Sequence, residues 1–310
     1  MNEDEKEIFG NLENEKTFEN STKFKFSEEN YLNVRLGAGE KTREIHIRIL
    51  PAKNSKKIHT PIHIHSMKVD PKVSASGFKT FICLNDELLS KHDDKGCPLC
   101  NHAKELFDKA NELPPEKVEE RKALFKEGYK YRPKITYIVR VIERGKENEG
   151  VKFWRFNKYD NGNGIMDKLM NIYRQRRNEA KLSGIENYNI FDLHNGKDFI
   201  LTLTKSENTN NRTEISIMDS GFSTPLSKDE AQIEKWVNDE KDWSDVYTSR
   251  PYSYLKVIAD GGVPVFDRSA NEYVSKEENE IIQQKIQEEA LQEVRIEINA
   301  SNNDDGDLPF

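Results

Sequence analysis

The stretch that decides the fold runs from His59 to His102 and reads HTPIHIHSMKVDPKVSASGFKTFICLNDELLSKHDDKGCPLCNH. It contains all 3 cysteines of the chain, Cys83, Cys97 and Cys100, and five of its 7 histidines. Thiolates and imidazoles are the side chains that bind zinc most often in proteins. The stretch therefore predicts a metal-binding segment in the first third of the chain.

The cysteine spacing indicates which side chains bind the metal. The turn Cys97-Pro98-Leu99-Cys100 allows two thiolates to face one ion, and Cys83, thirteen intervening residues earlier, supplies a third sulfur. A histidine then completes the Cys3His set that tetrahedral structural zinc accepts. We expect His65 in that position and one structural Zn²⁺ as the cofactor. The alternative histidines are His63, His92 and His102.

Two other interpretations of the cysteines remain open at this point. A redox C-x-x-C usually follows a strand of a βαβ unit, and the pattern around Cys97 predicts no such unit. Three inert buried thiols are the second interpretation. A disulfide is disfavoured because the number of cysteines is odd and no secretory segment is indicated.

Composition limits the class of protein. Hydrophobic residues make up 35% of the 310 residues and charged residues 33%, so a core can form over only part of the chain. No run of eighteen apolar residues occurs, and the acidic first twenty residues do not have the pattern of a signal peptide. We expect a cytoplasmic protein with no membrane partner.

The net charge of −7 is distributed unevenly along the chain. Basic and acidic residues number 2 and 7 in residues 1–20, 37 and 28 in residues 21–220, and 9 and 20 in residues 221–310. The three net charges are therefore −5, +9 and −11. A basic middle between acidic ends favours a polyanionic partner for the middle, whereas charges needed only for solubility would not be segregated in this way.

Hydrophobic periodicity predicts a small β-barrel with inserted helices. Alternation of apolar residues over 23–51 predicts a β-meander, and short strands are expected at Ile62–Ile64 and Phe78–Cys83. Helices are expected over Asn101–Asn111 and Glu116–Glu127. Further expected helices are 164–181, 227–238 and 276–294, and further expected strands are 198–204, 213–218 and 253–258.

Aromatic and basic residues are interleaved between Gly128 and Lys158, which the pattern predicts to be two strands around a polar loop. With period 2, some rings and cations must share a face. Single-stranded nucleic acid is bound by that combination, because bases stack on rings while cations neutralise phosphates. The opposing interpretation is that some of the rings only fill the core. The candidate residues are Tyr129, Tyr131, Arg132, Lys134, Tyr137, Arg140, Lys152, Trp154, Arg155 and Phe156.

With these residues in view, the chain resembles the single-stranded-DNA-binding, helix-destabilising proteins of T-even bacteriophages over about residues 23–224. The motifs that carry the resemblance occur in the family's order. They are IHIRILP, CPLC, ITYIVRVI, ENEG followed by KFWRF, IMDKL, and FILTL leading to SGFS. The order and the cysteines make the match specific, although each motif alone is weak.

The resemblance implies a mainly β (α+β) protein: an OB-fold core with an inserted Cys3His zinc subdomain, followed by a helical acidic C-terminal region. It implies a cleft that holds single-stranded DNA without reading its sequence. The family's stacking aromatics match Tyr129, Tyr137, Trp154 and Phe222, and its cleft cations match Arg132, Lys134 and Arg155. The expected domains are an acidic arm (1–21), the DNA-binding core (22–224, with the zinc subdomain at about 59–127), a C-terminal region (225–298) and an acidic tail (299–310).

The function expected from the resemblance is the coating and protection of single strands during phage DNA replication, recombination and repair, in the host cytoplasm. Its expected partners are single-stranded DNA, other copies of the chain on that DNA, and replication and recombination proteins that bind the acidic tail. A zinc-stabilised protein-interaction hub is the alternative. A zinc deaminase or nuclease needs an open coordination position and an H-x-E motif, which the chain lacks, so we expect no enzyme.

Overall fold

The structure is a computed structural model that describes residues 3–9, 30–86, 95–159, 162–206, 213–247, 249–285 and 287–288. These residues form a mixed α/β protein with a mostly antiparallel sheet. They divide into two compact units. Unit 1 is drawn from Met1–His65, Ile82–His92 and Pro133–Ser249, and unit 2 from Ser66–Phe81, Asp93–Arg132 and Arg250–Phe310.

Seven of the described strands form one sheet. They are β1 (Thr42–Leu50), β2 (Thr60–Lys68), β3 (Phe78–Ile82), β4 (Lys134–Glu143), β5 (Lys152–Asn157), β6 (Lys197–Lys205) and β7 (Thr213–Ser223). The strand order is β3-β2-β4-β1-β6-β7, and β5 pairs with β4 outside that path.

Strand β4 organises the sheet because it pairs on both of its edges. On one edge Leu50 of β1 lies opposite Arg140, and Thr60 of β2 lies opposite Ile138, so β1 and β2 follow each other along the same strand. Strand β5 overlaps both of these pairings along β4 and therefore occupies the other edge. Residues 51–59 connect β1 to β2 without pairing with β4. Strand β5 therefore lies on the other side of β4 from the junction of β1 and β2.

The core of unit 1 follows from the alternation of side chains along these strands. Apolar residues at every second position are buried against helix α4 (Ile165–Leu182), in which Leu169 and Tyr173 face the sheet. Burial of each such side chain contributes about 1.5–3 kcal/mol. The buried strand positions are Ile45, Ile47 and Ile49, then Tyr137, Val139 and Val141, then Phe199, Leu201 and Leu203. The period-2 prediction for these strands is confirmed.

Three further helices belong to unit 1: α1 (Glu3–Phe9), α5 (Glu230–Val237) and α6 (Trp243–Val246). Helix α1 adds Ile8 to the core, and the backbone N–H of Ile58 donates to the carbonyl oxygen of Ile8 at 3.0 Å. Helix α6 adds Trp243 to a second apolar cluster around β2 and β5.

Unit 2 contains a helical hairpin of α2 (Pro98–Glu112) and α3 (Val118–Tyr131). Gly128 permits close packing there, since a Cβ atom at this position would lie 2.5 Å from the Phe107 ring. The unit also contains α7 (Tyr252–Ala259), the hairpin of β8 (Pro264–Asp267) and β9 (Glu272–Ser275), and helical residues at 276–285. No helix in the described part of the chain has both the length and the apolar character that crossing a membrane requires.

Three local predictions are wrong. The expected strand 253–258 is helix α7, in which Tyr254, Leu255, Val257 and Ile258 are buried with the 3.6-residue spacing of one helical face. The segment from Gly128 to Tyr131 is the last turn of α3, so β4 begins only at Lys134. Residues 31–36, expected as a strand of the meander, form a single isolated β-bridge between Tyr31 and Phe153. Their remaining positions do not pair in register.

Some expectations fall on parts of the chain that are not described. The first strand of the meander, at residues 23–26, lies outside the described residues, as do residues 289–294 of the last expected helix and the tail at 299–310. The domain boundaries expected from the sequence stay a prediction.

Candidate functional site

The three cysteines and one histidine come together in the folded chain. The ligand atoms of His65, Cys83, Cys97 and Cys100 all lie within 4.8 Å of one another. The first three residues are buried and Cys100 is half-buried. Zinc–sulfur bonds of 2.3 Å in a tetrahedron place two sulfurs about 3.8 Å apart. The cluster therefore can bind a metal ion with the donor set that the spacing predicted.

Local backbone chemistry positions the two cysteines of the C-x-x-C turn. Gly96 has a φ of 71°, which lets the chain reverse before α2 begins. Cys97 is the N-cap residue of α2 and Pro98 occupies the first turn, where its missing N–H costs nothing. The side-chain amide of Asn101 donates to the carbonyl oxygen of Lys95 at 3.0 Å and closes the turn.

Cys83 is positioned at the end of β3. Its backbone N–H donates to the carbonyl oxygen of His63 at 2.9 Å, so the strand pairing continues up to the thiol. His65 lies two residues further along β2 than His63. In this arrangement the backbone at Cys83 and at His65 is held in place by strand pairing.

The two described alternatives, His63 and His102, have contacts of their own. Nδ1 of His63 is 3.1 Å from Oδ2 of the buried Asp86, and the backbone N–H of His63 donates to the same carboxylate. The ring of His102 packs against Tyr131, with 4.4 Å between ring centroids. His92 lies outside the described residues. Among the described histidines, the one in the cluster is His65, as expected.

Five of the residues expected to contact DNA are buried in unit 1. Tyr137 and Trp154 are 2% and 1% exposed. The ring of Phe156 lies 4.7 Å from that of Trp154 and 6.0 Å from that of Tyr137, so the three rings pack against one another in the core. The other two buried residues are Arg140 and Lys152. The two-residue alternation correctly predicted that rings lie together. It did not predict which face of the sheet other elements cover.

The two buried cations have internal partners. Arg140 donates to the carbonyl oxygens of Pro51, Trp236 and Val237, and burial lowers the pKa of its guanidinium. Nζ of Lys152 lies 2.5 Å from Oε2 of Glu143. Burial alone would lower the pKa of Lys152, but its carboxylate partners outweigh that effect and the pKa is raised. Both side chains are used to hold elements of unit 1 together.

The remaining expected residues are at least partly accessible. In unit 2, Tyr129 is 57% exposed, and the guanidinium of the exposed Arg132 lies 5.6 Å from its ring centroid. Tyr131 is half-buried in the same unit. In unit 1, Phe222 is 80% exposed, Lys134 is exposed and Arg155 is half-buried. The roles of all the expected residues in binding DNA stay predictions.

A cleft of about 490 Å³ lies beside β5 in unit 1. It is lined by Tyr31, Leu32, Asn33, Val34, Arg35, Trp154 and Arg155. The guanidinium of Arg155 lies 5.1 Å from the ring centroid of Tyr247, and the Tyr31 ring meets the Tyr247 ring edge-on at 4.9 Å. The cleft therefore combines rings and guanidinium groups on one surface.

The indole N–H of Trp154 is buried in unit 1. Within the part of the chain that is described, its buried Nε1 atom has no hydrogen-bond partner. A buried N–H without an acceptor is unfavourable for stability. Burial raises the pKa of the neighbouring Tyr247, which keeps its hydroxyl protonated.

Sequence reasoning missed Tyr31, Arg35 and Tyr247 as parts of a site. The first two occur in YLNVRL, where the apolar alternation was assigned only to a strand, although the segment holds a ring and a cation as the 128–158 stretch does. Tyr247 carries no local signal. Its position beside Arg155 depends on how α6 packs on β5.

The fold and the site together define a mixed α/β protein with a mostly antiparallel sheet and a Cys3His cluster that can bind a metal ion. Comparison with protein-family models and with curated proteins gives no significant match for this chain.

Proposed function

We propose that this chain is a sequence-independent single-stranded-DNA-binding protein of the T-even-phage helix-destabilising type. Its role would be to coat and protect single strands during DNA replication, recombination and repair. The observation that carries the proposal is the cleft beside β5, in which Tyr31, Arg35 and Arg155 line one surface. The order of sequence motifs and the Cys3His cluster agree with the same class of protein.

The cleft has the chemistry that a single strand requires. Its volume of about 490 Å³ is large enough for a nucleotide. An aromatic side chain that stacks on a base contributes about 1–3 kcal/mol, whichever base it is. Arg35 and Arg155 supply positive charge for phosphates. Such contacts favour single strands over duplexes, because paired bases do not expose their faces.

Further accessible residues are candidates for contact with DNA, each within its own unit. Phe222 offers an uncovered ring, and the Tyr129–Arg132 pair offers a ring with an adjacent cation. Lys134 adds a further exposed cation. The buried Tyr137 and Phe156 would act by supporting Trp154 from within the core rather than by stacking on bases.

The proposed metal is zinc, and its proposed role is structural. Three thiolates and one imidazole match the preference of Zn²⁺, whereas Mg²⁺ and Ca²⁺ prefer oxygen ligands. Four protein ligands fill a tetrahedral site and leave no position for a catalytic water. This argument favours a non-enzymatic protein. The antiparallel sheet, in which β4 pairs on both edges, agrees with the proposed OB-fold. In other proteins the OB-fold binds oligonucleotides.

The deciding experiment is a fluorescence-anisotropy titration of labelled oligo-dT and of a duplex of the same length, at two salt concentrations. The wild-type chain should prefer the single strand, and its affinity should fall steeply with salt. Arg155→Gln should weaken binding and reduce the salt slope by about 1. Arg268→Gln, which replaces an exposed arginine in the β8–β9 turn, is the matched control.

Equal affinity for duplex and single strand would reject the proposal. No binding to either would favour the protein-interaction hub, which the charge segregation also suits, since the acidic residues 221–310 could bind basic partner proteins. In the single-strand-binding function, partner proteins of replication and recombination would bind the tail at 299–310, and other copies would bind adjacent stretches of DNA.

A further inference from the structure

Helix α1 lies over basic residues of unit 1. Glu5 forms a bidentate ion pair with Arg174, in which Nε and Nη2 donate to the two carboxylate oxygens at 2.9 and 3.1 Å. Asp4 pairs with Arg177, and Glu7 lies 2.6 Å from Nζ of Lys56. Three carboxylates within about one turn of helix therefore face three cations, two from α4 and one from the loop at 51–59.

Each of the three carboxylates resembles a phosphate in its negative charge and in its hydrogen-bond acceptors. Each meets a separate cation. Arginine is the side chain best suited to this exchange, because its guanidinium binds carboxylate and phosphate with the same two-pronged geometry.

The contact between α1 and its groove is incomplete. A cavity of about 430 Å³ remains beside the helix, lined by Ile8, Lys56, Tyr173, Arg177, Tyr188 and Phe191 among others. Ile8 is the one apolar side chain of α1 that the structure describes as buried in the core. A helix of seven residues is not stable alone in water, so its position depends on these few contacts.

We propose that Lys56, Arg174 and Arg177 form a second phosphate-binding surface for single-stranded nucleic acid, which α1 covers in the unbound chain. The inference rests on the proposed function. A bound strand competes with α1, displaces the three carboxylates and takes over their cations. Tyr188, half-buried beside the same cavity, supplies a ring next to these charges. The covered state reduces the affinity of the resting chain for polyanions.

The test removes the anions and leaves the helix sequence otherwise intact. In the full chain, Asp4→Asn, Glu5→Gln and Glu7→Gln are combined, and oligo-dT affinity is measured across salt concentrations. The control combines Glu105→Gln, Glu112→Gln and Glu116→Gln, which are exposed in unit 2 and change the net charge equally. Three newly available cations should steepen the salt slope by about 2 and raise affinity about tenfold near 50 mM salt, since each phosphate contact to a single strand contributes about 0.7.

A third variant shows where any gain arises. Adding Lys56→Gln, Arg174→Gln and Arg177→Gln to the neutralised helix should return the affinity and the salt slope to the control level. If the wild type binds oligo-dT but the neutralised helix gains no more affinity than the control, the covered surface is overturned. The proposed function is not affected by that result. A gain that persists without the three cations would overturn the covered surface as well. Failure of every variant to bind oligo-dT would overturn both this inference and the proposed function.

Discussion

Nε of Arg48 lies 2.7 Å from Oδ1 of Asp198, and the side chain of Arg48 is 0% exposed. The same guanidinium donates to the carbonyl oxygens of Asp192 and Thr224, and Arg144 donates to the same carboxylate oxygen of Asp198. One carboxylate therefore compensates two guanidinium groups. The contact joins β1, β6 and the segment after β7, all of which belong to unit 1.

Replacing Asp198 by asparagine should destabilise the protein by about 3 kcal/mol, because a buried arginine loses its counter-charge. The measurement is the free energy of unfolding in urea, with the change in slope recorded separately. Asp260→Asn is the control, since Asp260 pairs with Lys256 on an exposed surface and such pairs contribute about 0–1 kcal/mol. Equal losses in the two variants would contradict the expected importance of the buried pair.

The metal cluster gives a prediction about folding. Purified protein should contain one zinc ion per chain, and a chelator should lower its melting temperature, because the metal is bound only by the folded chain. His65→Ala and Cys97→Ser should lose the metal. His102→Ala should retain it, because that ring packs against Tyr131 instead. Metal analysis that finds no zinc, together with unchanged melting after chelation, would remove the zinc assignment.

Stability should depend on pH through Glu143. Burial raises the pKa of this carboxyl, but hydrogen bonds from Lys146 and Lys152 outweigh that effect and hold the pKa below its ordinary value. A lowered folded-state pKa means that the carboxylate stabilises the protein above the unfolded-state value of about 4.3, and that this contribution is lost as pH falls through the folded-state value.

The melting temperature of Glu143→Gln measures this contribution. The wild type should exceed the variant at neutral pH, and the difference should shrink as pH falls below about 4.3. Glu119→Gln, at an exposed position of α3, controls for general loss of charge and should differ little from the wild type at either pH. A wild-type advantage that is unchanged in acid would contradict the assignment to Glu143.

Phe222 separates binding from stability. The ring is 80% exposed, so Phe222→Ala should change the free energy of unfolding by no more than about 0.5 kcal/mol. The same variant should weaken oligo-dT binding by about 1–3 kcal/mol if the ring stacks on a base. Leu182→Ala, which removes another highly exposed apolar side chain in unit 1, should leave binding unchanged. Equal affinity of the two variants would exclude Phe222 from the interface.

The acidic tail is expected to compete with DNA. Removing Asn299–Phe310 deletes three aspartates and the Leu-Pro-Phe end, which should raise affinity for oligo-dT at low salt and abolish binding of replication partners. The gain should vanish at high salt because the competition is electrostatic. An affinity that is unchanged at both salt concentrations would leave the tail without a role toward DNA.

The sequence by itself determined the cysteine ligands and most strand positions of unit 1. Cys97, Pro98 and Cys100 form their turn through local backbone chemistry, which the spacing alone reveals. Alternation along β1, β4 and β6 placed the core correctly, because period 2 is a property of the strand itself. The basic middle region was identified from the count of charged residues alone, which is a property of the sequence and not of the fold.

Tertiary structure decided what depends on distant neighbours. His65 joins the sulfurs while His63 faces Asp86, a choice that sequence proximity could not make. Trp154 is buried and Phe222 exposed although both are aromatic residues in strands, because packing covers one face and leaves another open. The cleft beside β5 also needed the fold, since Tyr31 and Arg155 are separated by more than a hundred residues and meet only when the sheet forms.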